Sequence, residues 1–366
     1  MPFAEVTRMD ERRRFVLRVE AGAGMSAACR EFGITRRTGR KWVNRARDSG
    51  IAGMAELSRA PKRVGNRTPL EVERALLECR SRHAPEWGAK KLVPLVKVET
   101  GIEIPLRTAD RILKRYGCVH AREPVRETIR FEREEPNQLW QMDFKGIPKS
   151  TPYGPFTVLD DAHRFCLRFV PLADRTTETV FSVLWDLFGD YGLPLEILCD
   201  NGDCWGPAGY RGPTKLEVLL MLLGVKTTHG RISHPQTQGK VERFHGTARL
   251  ELGPRLVQPT IEDAKGVYRE FANRYNWVRP HEALGFATPG SLYRPSPRKR
   301  PDRLPEHDVP EGAVSRAVDH CGRFSFDGIH YRAGKGLAGR RIVIKNDELG
   351  PRIHFAGFDL AYLWEA

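Results

Sequence analysis

The chain has 366 residues, a net charge of +14 and an isoelectric point near 9.6. That length exceeds one ordinary hydrophobic core, so three or four modules are expected, and the basic balance favours a polyanionic partner. Seven cysteines with no Cys-x-x-Cys pair argue against a disulfide framework and a zinc module, while the lack of a long apolar run or signal-peptide core argues against a membrane span or export. A cytoplasmic protein is expected.

The positive charge is unevenly spread. Residues 1–135 hold 30 Lys and Arg against 19 Asp and Glu, whereas residues 136–255 hold 13 of each. A basic front joined to a neutral middle suggests one part that grips a polyanion and another that acts on it.

In chain order, residues 1–56 read as a helix-turn-helix domain. Phe15, Val16 and Val19 form the apolar stripe of a first helix. Gly33 then marks a turn, Thr35 caps the next helix, and Ile34 and Trp42 point inward. This leaves Arg36, Arg37, Arg40 and Lys41 as the exposed face, suited to phosphates and guanine edges in a major groove. Residues 57–67, with Ser58-Arg59-Ala60-Pro61-Lys62-Arg63, read as an extended basic linker. Thr68, Pro69 and Glu71 carry the start signals of another helix, and residues 68–117 read as a second helix-turn-helix domain. Arg111, Lys114 and Arg115 on its third helix make that helix a second candidate groove reader.

Residues 118–136 read as a charged linker. Beyond it, residues 137–290 alternate strand and helix: strands near 139–146, 155–161 and 164–171, a helix at 176–190, then a strand that stops at Asp200-Asn201-Gly202. In Leu139-Trp140-Gln141-Met142-Asp143-Phe144-Lys145 apolar and polar residues alternate, which puts Asp143 on the polar face of a half-buried strand. After Pro235 a helix begins. Val241, Phe244 and Ala248 recur at core spacing, and Gln238, Glu242, His245 and Arg249 share a separate polar face. Residues 291–315, with five prolines from Leu292 to Pro310 and the cluster Arg298-Lys299-Arg300, read as a further linker, and the short alternating runs of residues 316–366 read as a small β-barrel.

Asp143, Asp200 and Glu242 form a coherent chemical set. Two carboxylates about 4 Å apart repel by roughly 4 kcal/mol at an effective dielectric near 20, so three gathered together need cations. Mg²⁺ or Mn²⁺, expected as a pair about 4 Å apart, suits carboxylate oxygens and serves in-line displacement at phosphorus. His229 and His234 lack Cys or His partners at metal-binding spacing and read as structural or substrate-contacting. No phosphate-binding Gly-Lys loop is present, so no nucleotide cofactor is expected.

Four ordered motifs carry a resemblance: Trp140-Gln141-Met142-Asp143, Cys199-Asp200-Asn201-Gly202, His234 through Arg243, and Tyr275-Asn276-Trp277-Val278-Arg279-Pro280-His281. Together they resemble the DDE transposases with a retroviral-integrase-type core, and the two front domains with a C-terminal barrel resemble the bacterial insertion-sequence branch. The resemblance implies a mixed-sheet α/β ribonuclease-H-like core in which Asp143, Asp200 and Glu242 bind metal ions. It also implies that Gln238, Lys240, His245 and Arg249 face the DNA entering the site. The implied partners are double-stranded DNA, as element ends and as target, and further copies of the chain, at least a dimer on DNA. The implied activity is 3′-end cleavage and strand transfer; the alternatives are a non-catalytic DNA-binding regulator derived from a transposase, or a ribonuclease-H-like nuclease. Between Asp200 and Glu242 lie 41 residues, several more than the family's usual spacing, and the excess falls in Cys204 through Pro213.

Overall fold

In the computed structural model of the chain, the structure describes residues 7–56, 68–83, 86–118, 132–145, 151–199, 212–229 and 239–363. The chain divides into two compact units, Met1–Arg67 and Thr68–Ala366. Among the described residues no helix is long and apolar enough to cross a membrane.

The first unit is helical: α1 Arg8–Glu20, α2 Met25–Glu31 and α3 Arg36–Ser49, followed by a 3-10 turn at Gly50–Met54. Thr7 and Asp10 close a capping box on α1, and Thr35 accepts from the Thr38 amide at the start of α3, which satisfies donors that a helix end otherwise leaves open. Phe15, Val16, Ala28, Cys29, Trp42, Val43 and Met54 form its core. Gly39 lets α3 approach closely, because a Cβ there would lie 2.6 Å from Cys29 Sγ and 2.8 Å from the Phe15 ring.

The second unit opens with α4 Leu70–His83, α5 Ala89–Thr100 and α6 Leu106–Arg115, packed around Leu76, Cys79, Trp87, Leu92, Val96 and Ile112. A five-stranded sheet follows, ordered β3-β2-β1-β4-β5, with β1 Leu139–Phe144, β2 Gly154–Asp160, β3 Cys166–Leu172, β4 Glu196–Cys199 and β5 Lys226–His229. The first three strands run antiparallel, whereas β1, β4 and β5 are parallel. One face buries Trp140, Met142, Phe144, Phe156 and Val158 against α7 Thr177–Tyr191 and α8 Lys215–Leu222. The other buries Leu159, Cys166 and Phe169 against α9 Gly239–Leu252 and α10 Ile261–Trp277. The two-residue period of β1 therefore sends Trp140, Met142 and Phe144 to one layer and Gln141 and Asp143 to the layer beneath α9.

The C-terminal strands do not close into the expected barrel. Among the described residues, β6 Ser315–Ala317, β9 Arg341–Asp347, β10 Gly350–Phe355 and β11 Phe358–Tyr362 form a four-stranded antiparallel sheet, while β7 Arg323–Phe326 and β8 Ile329–Arg332 pair as a separate hairpin. The apolar side that closure would have turned inward is covered from outside. Val218, Met221 and Leu222 of α8 share a core with Phe324, Ile342, Ile344, Ile353 and Phe355. The approach is tight at Gly336, where a Cβ would fall 2.3 Å from the Thr214 backbone.

The proline-rich stretch before these strands packs on the sheet domain. Tyr293 is buried and donates to Asn137 Oδ1 at 2.7 Å. Arg298 donates to the carbonyls of Pro194, Leu223 and Gly224, and Arg300 to that of Trp185 at 3.0 Å while lying over the Trp185 ring. Arg298 here closes off the carbonyls at the C-terminal end of α8.

Candidate active site

Asp143 projects from β1 toward α9, with its side chain 19% exposed. Its cross-strand partner is Thr157, so both side chains stand on the same face of the sheet. His245, next to Phe244 on the inner side of α9, lies over this pair. Its Nδ1 is 3.2 Å from Asp143 Oδ2 and its Nε2 is 2.8 Å from Thr157 Oγ1. The consistent assignment has Nδ1–H facing the carboxylate and Nε2 accepting the hydroxyl proton of Thr157. The ring thereby fixes one oxygen of Asp143 from behind and leaves the other free.

Glu242 lies one turn before His245 on α9 and is exposed. Its charge reaches the same place as that of Asp143, as Lys145 shows. The ammonium of Lys145 is pushed below its ordinary range by partial loss of solvation and by Arg249, against the opposing pull of Asp143 and Glu242. The charges of Asp143, Glu242 and Arg249 are thus all felt at Lys145, at the end of β1. Asp200 lies outside the described residues. The described part of β4, which runs parallel to β1, ends at Cys199, one residue short of it.

The start of α9 is held by a second buried set. Asp161 is fully buried and accepts from Gln141 Nε2 at 2.6 Å and from the Arg133 amide at 2.7 Å. Lys240 Nζ lies 2.8 Å from Asp161 Oδ1 and donates to its carbonyl at 2.7 Å. Burial pushes the Lys240 ammonium down while Asp161 supports it. The aspartate pins Lys240 to the turn after β2, and two residues later the helix presents Glu242.

The expected DNA-facing set separates accordingly. Arg36, Arg37, Arg40 and Lys41 are exposed on α3, and Arg111 and Lys114 are exposed on α6. Arg115 is engaged internally: its guanidinium is 2.6 Å from Glu73, a fully buried carboxylate that also accepts from the Tyr116 hydroxyl at 2.9 Å. His245, expected on the polar face of α9, and Lys240, expected to face DNA, are instead turned toward the sheet. His245 is 4% exposed and turned into the sheet, and Lys240 is 12% exposed, because β1 and β2 offer buried acceptors under that side of α9. Arg249 remains exposed, and Gln238 lies outside the described residues.

Several working residues were not singled out in the sequence. Lys145 was detectable, since it shares the alternating face of Asp143 two residues on. Thr157 and Asp161 carried no local signal, because their roles come from strand pairing. In the fourth motif, Asn276 completes an open strand edge: its Oδ1 accepts from the Cys166 amide at 2.8 Å and its Nδ2 donates to the Cys166 carbonyl at 2.9 Å. His229 Nε2 donates to Glu217 Oε1, 2.8 Å away, with Cys199 Sγ at 3.8 Å from its Nδ1. It is a structural link between β5 and α8.

Asp143 and Glu242 offer hard oxygen donors whose charges are felt at Lys145 together with that of Arg249. This chemistry fits a hard divalent cation and leaves room for phosphate oxygens.

An integrase core domain matches residues 133–235 and again 223–289, and homeodomain-like domains match residues 7–55 and 38–113. The transposase InsD for insertion element IS2A/D/F/H/I/K of Escherichia coli is 24% identical over 231 residues, which span 57% of this chain and 74% of that protein. Among solved structures, the catalytic core domain of BIV integrase is similar over 43% of this chain and 93% of its own, at 23% identity and a TM-score of 0.34. A mixed sheet carrying acids beneath a helix, preceded by helix-turn-helix units, thus belongs to an integrase-type core with DNA-binding-type front domains. Within that class the chain is similar to insertion-sequence transposases over a little more than half of its length.

Proposed function

We propose that the chain is an insertion-sequence transposase that binds the terminal inverted repeats of its own element through the two front domains, cleaves the 3′ ends and joins them to target DNA. Asp143, Asp200 and Glu242 would hold one or two Mg²⁺ or Mn²⁺ ions. Once bound, these supply electrostatic stabilisation of the attacking and leaving oxygens. The observation that supports the reading is that α9, which carries Glu242 one turn before His245, lies over β1 with His245 Nδ1 3.2 Å from Asp143 Oδ2, next to the strand that leads into Asp200.

The chain's own residues have definable parts in this reaction. His245 holds Asp143 in one rotamer, and the Asp161–Lys240 contact sets the register at which α9 delivers Glu242. Lys145 and Arg249 offer positive charge to the phosphate of the strand entering the site. In the first step water attacks phosphorus and the element's 3′-oxygen leaves as a hydroxyl. That hydroxyl then attacks a target phosphodiester and displaces a 3′-oxygen of the target strand. Exposed Arg36, Arg37, Arg40 and Lys41 on α3 and Arg111 and Lys114 on α6 would provide the end contacts. Pairing of two ends requires at least two chains in the active assembly, acting in the cytoplasm.

The test uses duplexes taken from the DNA flanking the reading frame, with Mg²⁺, and the full chain carrying Asp143→Asn or Glu242→Gln. Both variants should lose cleavage and joining while binding the ends as the wild type does. Joining at the wild-type rate by Asp143→Asn would remove the proposal. Cleavage without joined product from the wild type would favour a nuclease instead.

A further inference from the structure

Away from the acids, the second helical domain gathers a mixed donor set. Cys79 and His83 lie one turn apart on α4, and Glu99 faces them from α5. One ligand atom from each, the thiol sulfur, an imidazole nitrogen and a carboxylate oxygen, lies within 4.8 Å of the other two, the only such Cys, His, Asp or Glu group among the described residues. From this convergence we infer that Cys79, His83 and Glu99 form a site for a borderline-soft divalent ion, with Zn²⁺ the fitting metal and water as its fourth ligand.

The donor identities decide the ion. A thiolate and an imidazole select zinc over magnesium, and three protein ligands with one open position suit its tetrahedral preference. This differs in kind from the oxygen-only set at Asp143 and Glu242.

The surroundings are organised as outer partners of a metal site usually are. Glu99 points Oε1 at His83 Nε2 while its Oε2 is held by Arg82 at 3.0 Å. The His83 ring lies parallel to the Trp87 indole, with centroids 5.9 Å apart and an interplanar angle of 1°. The His83 carbonyl accepts from Arg274 of α10 at 3.0 Å. Cys79 is fully buried, and burial, with the nearby Glu99 charge, pushes its thiol up to about 11. Binding is therefore coupled to proton release. The ion displaces the thiol proton, and the proton shared between His83 Nε2 and Glu99 goes to solvent or moves to Nδ1.

The ion would tie α4 to α5 beside Trp87. The sequence argument against zinc rested on the absence of Cys-x-x-Cys pairs, and a helical Cys-x-x-x-His completed by a distant Glu escapes that search.

The test uses the full chain carrying Asp143→Asn and Glu242→Gln, so that the acidic site does not compete for metal. It is stripped of metal, dialysed against Zn²⁺ in excess Mg²⁺ and assayed for bound zinc, with Co²⁺ as an optical probe of thiolate coordination. One retained zinc per chain, a thiolate-to-cobalt absorption band, and a rise in melting temperature on adding Zn²⁺ alone are expected. Cys79→Ser, which preserves volume, and Glu99→Gln, which preserves a hydrogen-bonding carbonyl, should each weaken binding by about tenfold or more. No stoichiometric zinc, or retention unchanged in both variants, overturns the site and leaves a hydrogen-bonded thiol, imidazole and carboxylate. End binding and joining by the chain with Asp143 and Glu242 intact are read separately, so failure here leaves the catalytic proposal standing.

Discussion

Replacing Glu251 with Ala should loosen the second helical domain from the catalytic core. The Glu251 carboxylate is 2% exposed and serves three donors: Trp87 Nε1 at 2.8 Å, Arg274 at 2.8 Å and Arg279 at 2.6 Å. Trp87 belongs to the segment between α4 and α5, whereas Glu251 ends α9 and Arg274 lies in α10. One carboxylate therefore joins the helical domain to both helices that cover the active face of the sheet. Deleting one partner of a buried ion pair costs about 3–5 kcal/mol, because the remaining charges keep their desolvation without compensation. Arg274 is 28% exposed and Arg279 11%, so water recovers part of the loss and about 3 kcal/mol is the working value.

The three contacts share one acceptor, so their costs overlap and do not add. Trp87→Phe removes only the indole donor and should cost about 1.5–3 kcal/mol, the range for a hydrogen bond to a charged group. The same change made in the Glu251→Ala background should cost much less. Amide hydrogen exchange read on peptides from residues 70–115 is the suitable assay, since a protein of several modules need not unfold in one step. A loss of about 3 kcal/mol speeds exchange by opening of this region by roughly 100-fold. If those peptides exchange at the wild-type rate in Glu251→Ala, or the two substitutions are simply additive, the carboxylate is not the joint described.

His245→Phe should lower joining by up to about 100-fold, the scale of a 1 Å misplacement of a reacting group, while leaving end binding unchanged; weakened DNA binding with normal chemistry would instead make His245 a DNA contact. Asp160 provides a pH test in the core. Burial outweighs the two backbone amides donated to it by Asn137 and His163 and pushes its carboxyl up to about 6. A folded value above the unfolded one means that the protonated form is favoured in the native state. The resulting stability is complete below pH ~4 and is lost as pH rises through about 6, a change of roughly 3 kcal/mol. Unfolding followed at pH 5 and pH 7 should show about 1.3 kcal/mol of this loss in the wild type and a smaller one in Asp160→Asn; equal pH dependence in both would refute it.

Local periodicity determined much of the architecture in advance. The alternation through Leu139–Lys145 announced β1 and the face that carries Asp143, and Thr35, Gly33 and Trp42 announced α3 with its exposed cations. These are properties of neighbours in sequence, set by strand and helix repeats and by helix capping. What lay beyond them was which face of each element would be covered, and by what. The polar stripe of α9 was legible, but whether His245 and Lys240 would meet solvent depended on Thr157 and Asp161, which strand pairing brings beneath that helix. The C-terminal strands were likewise legible as strands. Their closure was not, because the apolar surface of α8 competes with self-closure for the same side of the sheet, and that competitor lies about a hundred residues away in the chain. Buried carboxylates such as Asp161 and Glu251 look in sequence like ordinary surface acids; only the donors that distant segments place around them make burial tolerable.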